Sequence, residues 1–435
     1  MSGSGIHFRR HPIIFVPVPL LRHIPFLKAV ALYSFTAFGG PHGHIGMMMK
    51  TFVQRRRDVT EEELADYNAF CQMLPGPSST QTVMLIALKR GGIPLALVTL
   101  GLWVLPAFVI MAACSFLLLY IDARDIQSDL FRFVQPMSVG FIFYAAVRMM
   151  RTSAKHTATR LIMLGAAVAT FYVRSPWVFP AVLLVAGTIS NFSNRRIPDK
   201  AAKPKAIRWG SLWLFGALFV LAAVLSELAR LHDWPHRKAF SLFENFYRFG
   251  SIVFGGGQAL LPMMLYQFVN RPIRQGHSPW MTATDLLTGY GVVQAVPGPV
   301  FSICSFTGGL ALSSYGPGWQ LAGCFIATIA VFLPSTLLLF FLFPVYHNLK
   351  QHVIIFRALE GINAAVVGIV WASGLVLLQT VGAFSIDSAS LPFLHMDMEA
   401  VVVIAITFSL LNFTKVPAPL VVLGWLLLGL SFRGV

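Results

Sequence analysis

The residues best placed to do chemistry lie in a short pattern that occurs twice. SFTAFGGPHGHIGMMMKTFV (Ser34 to Val53) is followed by QMLPGPSSTQ (Gln72 to Gln81), and SIVFGGGQALLPMMLYQFV (Ser251 to Val269) by QAVPGPVFSI (Gln294 to Ile303). In each copy one apolar segment is interrupted at Phe-Gly-Gly and a later one at Pro-Gly-Pro, where glycine costs helix and proline removes a donor. A half-helix that begins in mid-segment points unpaired N–H groups at its start and carries about +0.5 charge there. Second arms beginning near Gly43, Ser78, Gln258 and Phe301 together offer about +2 by the same estimate, enough to balance a dianion. The first arms bring carbonyl ends of opposite sign, so the net field depends on which ends face the substrate. The chemistry indicated is anion binding without catalysis.

The candidate binding set is therefore Gly39, Gly40, His42, Gly43 and His44 at the first break and Gly76, Ser78, Ser79, Thr80 and Gln81 at the second. The second half contributes Gly255, Gly256, Gly257, Gln258, Gln294, Gly298 and Ser302. Pro41, Pro75, Pro77, Pro297 and Pro299 are read as backbone-shaping. No Lys or Arg is expected within the arms near the breaks. At least one of His42 and His44 is expected beside the anion and titrating, since histidine changes charge in the physiological range. Glu244 and Glu360 are candidates for carrying a coupling proton, because ionisable groups in membrane segments default to function. For Glu360 a plain pairing with Arg357 is the equal alternative. A metal site built on His42 and His44 would need carboxylate or cysteine ligands at useful spacing, and none is present. Cys71, Cys114, Cys304 and Cys324 lie in apolar runs without paired spacing and read as small core residues, so no cofactor is indicated.

The elements that position these residues must sit in lipid. With 56% hydrophobic and 11% charged residues, the chain cannot cover itself with a polar surface. Runs such as Trp103 to Tyr120 are apolar on every face, so the fold class is an all-α polytopic membrane protein and not a β-barrel. The net charge of +16 is carried in short loops, with 23 Lys and Arg before residue 209 and 10 after it. That distribution sets orientation in a bilayer and argues against nucleic-acid binding.

In order, residues 1–25 form a basic N-terminal segment and 26–193 a first membrane repeat. The repeat contains hairpin arms at about Leu27–Ala37 and Gly43–Gln54, then Leu64–Leu74 and Ser78–Leu88. Crossings at about Gly92–Tyr120 and Phe131–Val147 follow, then short segments at about Leu161–Val173 and Trp177–Asn191. Thr60 with Glu63 reads as a capping box. Residues 194–210 are a basic linker placed in the cytoplasm, and 211–231 an extra crossing. The second repeat, 243–432, has hairpins at about Phe243–Phe268 and Asp285–Leu312, crossings at about Trp319–Phe343 and Phe356–Leu378, and a last hairpin at Val401–Leu430. Shared landmarks, including Leu-Pro at Leu105 and Leu333 and Phe-Arg at Phe131 and Phe356, support duplication. The one unpaired crossing makes the repeat inverted, with re-entrant hairpins entering from opposite faces.

FGGPHGHI followed by LPGPSSTQ, with FGGGQALLP followed by PGP in a second half, resembles the chromate ion transporter family in its long, two-domain form. The resemblance covers about Phe26 to Leu430. It implies a plasma-membrane carrier for chromate and its isostere sulfate, with chromate efflux driven by the proton gradient or the membrane potential. The partners implied are the chromate or sulfate dianion, protons and the lipid bilayer, with a homodimer compatible. The sequence departs from the family at His42, where a small residue is commoner, in the loop Arg57-Asp58-Val59, where a tryptophan is common, and at Gln258, where histidine is frequent. Alternatives are an anion channel, a sulfate uptake carrier and, in another class, a membrane-embedded metal-dependent enzyme or sensor using His42 and His44.

Overall fold

A helix broken in mid-segment is tolerated in a membrane only where other elements satisfy the freed backbone groups, and that requirement organises the molecule. The computed structural model describes residues 20–122, 130–173, 175, 177–192, 209–254, 256–345, 353–383 and 397–431. The expectations for residues 1–19 and for nearly all of the 194–210 linker lie outside them. Among the described residues the protein is all-α, with no strand.

A 3-10 turn (Leu20–His23) leads into α1 (Ile24–Thr36). The chain restarts beyond Gly39 as α2 (Gly40–Met48), which widens into a π-helical stretch, Met49–Arg55. Helix α3 (Glu61–Cys71) opens on the expected capping box, in which the Glu63 N–H donates to Thr60 Oγ1 and the Thr60 N–H to the Glu63 carboxylate. Directly after Pro-Gly-Pro comes α4 (Ser78–Asp122), bent at Gly91 and Gly92. The first half ends with α5 (Val134–Ser153), α6 (Thr157–Tyr172) and α7 (Val178–Ser190).

After α8 (Gly210–Leu231) the plan returns. Helix α9 (Arg237–Ile252) leads to the break, and a 3-10 turn (Gly257–Ala259), α10 (Leu260–Met264) and a second π-helical stretch (Leu265–Asn270) follow it. Helix α11 (Ala283–Val293) again opens on a capping box, Thr282 with Asp285. A 3-10 turn (Val300–Ser302) and α12 (Ile303–Leu312) come after the last break. The long helices α13 (Pro317–Leu342) and α14 (Val353–Thr380) and the pair α15 (Met398–Phe413) and α16 (Ala418–Ser431) complete the chain.

One expected boundary holds and another moves. Ser78–Leu88 and Gly92–Tyr120 are two helices joined at a kink, where Gly91 (φ −149°, ψ 21°) and Gly92 (φ 70°, ψ −166°) leave the helical conformation. The crossing expected to end at Val147 runs on to Ser153. Arg148 donates to Tyr144 Oη one turn back at 3.0 Å and Thr152 to the Met149 carbonyl at 2.9 Å, so the basic run stays helical.

Among the described residues four helices are long and apolar enough to cross a bilayer: Ser78–Tyr120, Gly210–Leu231, Pro317–Leu342 and Arg357–Thr380. Helices α6, α7, α15 and α16 have 13 to 16 residues and span about 20 to 24 Å, less than a hydrocarbon core of about 30 Å. Packing sorts the helices by position within each half. Helices α1 to α4 gather with α8, α9, α12 and α13, whereas α14 lies against α5, α6 and α7, and α15 against α5. Each half thus gives its broken first part to one bundle and its last part to the other, and α11 is the chief bridge, packed on α5.

The loops after the two π-helical stretches are closed differently in the two halves. Trp280 stacks on Phe268 with ring centroids 5.1 Å apart, and its N–H donates to the Phe268 carbonyl at 2.9 Å. At the matching place the Asp58 N–H donates to the Phe52 carbonyl at 2.7 Å, but its side chain, 1% exposed, pairs with Arg56 at 2.9 Å and with Arg90. Both guanidinium groups lie over Phe26. A buried carboxylate between two partly exposed arginines thus stands where the second half has Trp280.

Candidate functional site

The backbone at the breaks finds its partners across the two halves. The Gly76 N–H donates to the Val253 carbonyl at 2.7 Å, and the Gly298 N–H donates to the Ala37 carbonyl at 3.0 Å. In the repeat Gly76 corresponds to Gly298 and Ala37 to Val253, so these are one bond made twice with the halves exchanged. Glycine is required at both donors. Gly76 has φ 106° and Gly298 φ 115°, and a Cβ would stand 2.4 Å from Ser335 Cβ at the first and 3.0 Å from Ala107 Cβ at the second.

Where the breaks meet there is a cavity of about 440 Å³. Of the expected residues, Gly39, Gly40, Gly76, Ser78, Gly256, Gln258, Gln294 and Gly298 line it. Ser78 is the first residue of α4 and Gly40 that of α2, so two helix starts lie on the wall. Gln294 and Tyr290 lie together on this wall, and Gln294 Nε2 and Tyr290 Oη, both buried, interact with each other without a well-formed hydrogen bond to any third group. The facing wall comes from the other bundle: Phe141, Tyr144, Arg148 and Thr152 of α5, Asn363 of α14, and Leu411 to Ala418 around the α15–α16 turn. Since the lining reaches the exposed Thr152 and Lys415, the cavity is open at that end. Its described lining includes the cations Arg148 and Lys415 and no Asp or Glu.

Other expected residues stand behind the wall. His44, 1% exposed, has Nδ1 2.9 Å from Ser79 Oγ and its ring edge-on to Trp103. Thr80 Oγ1 accepts from Trp103 Nε1 at 2.9 Å, and Gln81 Nε2 donates to the Pro75 carbonyl at 2.9 Å. These side chains lock α2, α4 and the first Pro-Gly-Pro loop to one another. Gly43 lets the Phe38 carbonyl approach α2, and Gly257 lets Val300 approach the third break. Ser302 is buried, with Oγ unpartnered, and is not on the lining. Pro75, Pro77, Pro297 and Pro299 flank the two bonded glycines. Gly255 and the side chains of Pro41 and His42 lie outside the described residues.

The coupling candidates are also off the cavity. Glu244 pairs with Arg248 at 3.3 Å, and Glu360 borders a separate apolar groove between α6 and α7. Arg248 corrects the expectation that no cation lies in the arms near a break, because it sits one turn before the end of α9. It is tolerated there because Glu244 and Asn245 share its guanidinium. Arg148, Tyr144, Tyr290 and Asn363 were not on the expected set. Arg148 stood in a run read as loop, and the others carried no break or repeated motif to mark them.

Fold and cavity together define a multi-pass helical membrane protein with a polar cavity between two bundles, its described lining without a carboxylate. The chain belongs to the chromate transporter family, whose model matches residues 24–190 and again 240–430. It is 26% identical over 396 residues to a chromate transport protein of Cupriavidus metallidurans, covering 90% of this chain and 89% of that protein. It is 26% identical over 379 residues to a chromate transport protein of Pseudomonas aeruginosa, covering 83% and 85%. An uncharacterized transporter of Bacillus subtilis is 28% identical over 148 residues, 34% of this chain and 74% of that protein. No solved structure matches the chain. Family membership points to an ion transporter rather than an enzyme.

Proposed function

We propose that the protein is a secondary carrier that moves chromate, and its isostere sulfate, across the plasma membrane by alternating access. The observation that carries this reading is the meeting of four breaks on one cavity whose described lining holds cations, helix starts and side-chain donors but no carboxylate. A tetrahedral dianion would be held there by backbone N–H groups near Gly40 and Ser78 and by Ser78, Gln258 and Gln294. The cavity lies between two bundles, as a site exposed alternately by rocking of one against the other requires.

The same reading takes the repeats, 26–193 and 243–432, as inverted. A reciprocal bond is what a two-fold relation between halves produces, and α8 supplies the odd crossing. With the basic segments in the cytoplasm, the mouth at Thr152 and Lys415 faces inward, where an efflux carrier loads. Glu244, on the arm leading to the third break, is the better placed of the two coupling candidates.

The test is radiolabelled flux in proteoliposomes under an imposed pH gradient, comparing chromate, sulfate and molybdate. Saturable chromate and sulfate counterflow, reduced at least tenfold in Gln294→Ala, is the expected result. No flux of any tetrahedral dianion would overturn the substrate, and electrical current far above carrier turnover would indicate a channel.

A further inference from the structure

Arg148 stands apart from every other charged residue near the breaks. It comes from the opposite bundle, it is half-buried on the cavity wall, and among the described residues it donates to a neutral phenol, Tyr144 Oη at 3.0 Å. That bond uses one N–H of a guanidinium fork that carries several, and the described lining offers no carboxylate to neutralise the rest. By contrast Arg56, Arg90 and Arg248 all have acidic partners. A cation kept half-buried over a polar cavity without an acidic lining partner is costly unless an anion completes it. The repeat confirms that helix geometry does not demand it, since aligning Phe131 with Phe356 sets Ser373 opposite Arg148, and Ser373 spends its hydroxyl on the Ile369 carbonyl.

We propose that Arg148 is the substrate-binding counter-cation for the anion, reaching from α5 toward the oxygens that the breaks hold on their far side. The inference rests on the carrier reading above and adds a selectivity element to it. A planar fork pairs with two oxygens of one oxyanion at once, which a spherical halide cannot match. The anion therefore bridges the two bundles. Lys415, exposed at the mouth, adds long-range attraction and no specific contact.

The experiment uses the full chain, purified and reconstituted, with chromate and sulfate as probes. Equilibrium binding and initial flux are measured for wild type, Arg148→Gln, Arg148→Lys and, as a control on the same helix but off the lining, Arg151→Gln. Arg148→Gln should weaken affinity for both dianions at least tenfold and lose the stabilisation against heat that they give, with the ligand-free melting temperature unchanged. Arg148→Lys should recover part of the affinity but discriminate less against chloride in competition. Arg151→Gln should match wild type. Wild-type affinity in Arg148→Gln overturns this assignment and leaves the carrier reading standing. Absence of binding and flux in wild type overturns both. Should Arg148→Gln fail to fold, Arg148→Lys decides, because unchanged chloride discrimination refutes the fork.

Discussion

The helical turn of α2 carries the His44 ring inward against Trp103 and Ser79, behind the cavity wall, where at least one of His42 and His44 was expected beside the anion. His44→Gln should cost about 1 kcal/mol, the net worth of a buried hydrogen bond, while leaving the KM for chromate within twofold of wild type. A tenfold rise in KM without loss of thermal stability would put the ring on the substrate after all. Asp58 makes the complementary point. Removing its carboxylate strands Arg56 and Arg90 over Phe26, and Asp58→Asn should cost about 3 kcal/mol, the low end for breaking a buried pair because both arginines stay partly in water. Thermal unfolding in detergent checks it. The glycines and Gln258, Ser78 and Gln294 were legible because breaks are a chain-local property. Arg148 and Tyr290 were not, since which residues face a break is decided by packing between elements that no periodicity relates.

Among the elements, the capped helices α3 and α11 were readable, because a capping box is complete within four residues. Each fixes the start of the arm that ends at a Pro-Gly-Pro break. At α3 partial burial pushes the Glu63 carboxyl up, but Lys89 at 2.6 Å and the Thr60 N–H outweigh it and hold it below its ordinary value. A lowered folded value means stability present above the unfolded pKa and lost as pH falls through the folded one. Wild type should therefore exceed Glu63→Gln in melting temperature at neutral pH, and the difference should shrink below about pH 4, near the ordinary glutamate value. A gap that persists to pH 3 would show that the charge is not its source. The π-helical stretches could not be foreseen. Met49–Arg55 and Leu265–Asn270 carry no sequence mark that sets them apart from ordinary helix, and each lies between a restarted arm and a capped helix. Finding one in each half shows that the duplication extends to helix type, which residue identity alone did not reveal.

At the scale of the whole molecule, composition announced a helical membrane protein and the paired motifs announced duplication. Bundle assignment was out of reach, because a linear reading joins α1 to α7 as one unit, while packing divides each half between two bundles. The proposed orientation predicts that cysteines introduced at Thr152 and Lys415 react with an impermeant reagent from the cytoplasmic face alone, and one introduced at Glu399 from the opposite face. Labelling of all three from one side would refute the inverted arrangement.

The reciprocal bonds at Gly76 and Gly298 bear on how such a chain can be made. Val253 and Ala37, which accept them, belong in each case to the half that the donor does not, so neither loop can close until both halves are in the bilayer. During synthesis the first half must wait with its breaks unsatisfied, held by its outer helices, until the second is inserted. The two halves should accordingly be separable as genes yet not as folds. Residues 1–208 and 209–435 produced as two chains in one cell should co-purify and restore anion flux, whereas either alone should be degraded. A fold whose central knot is tied between halves is, in biosynthetic terms, an assembly that happens to be covalently joined.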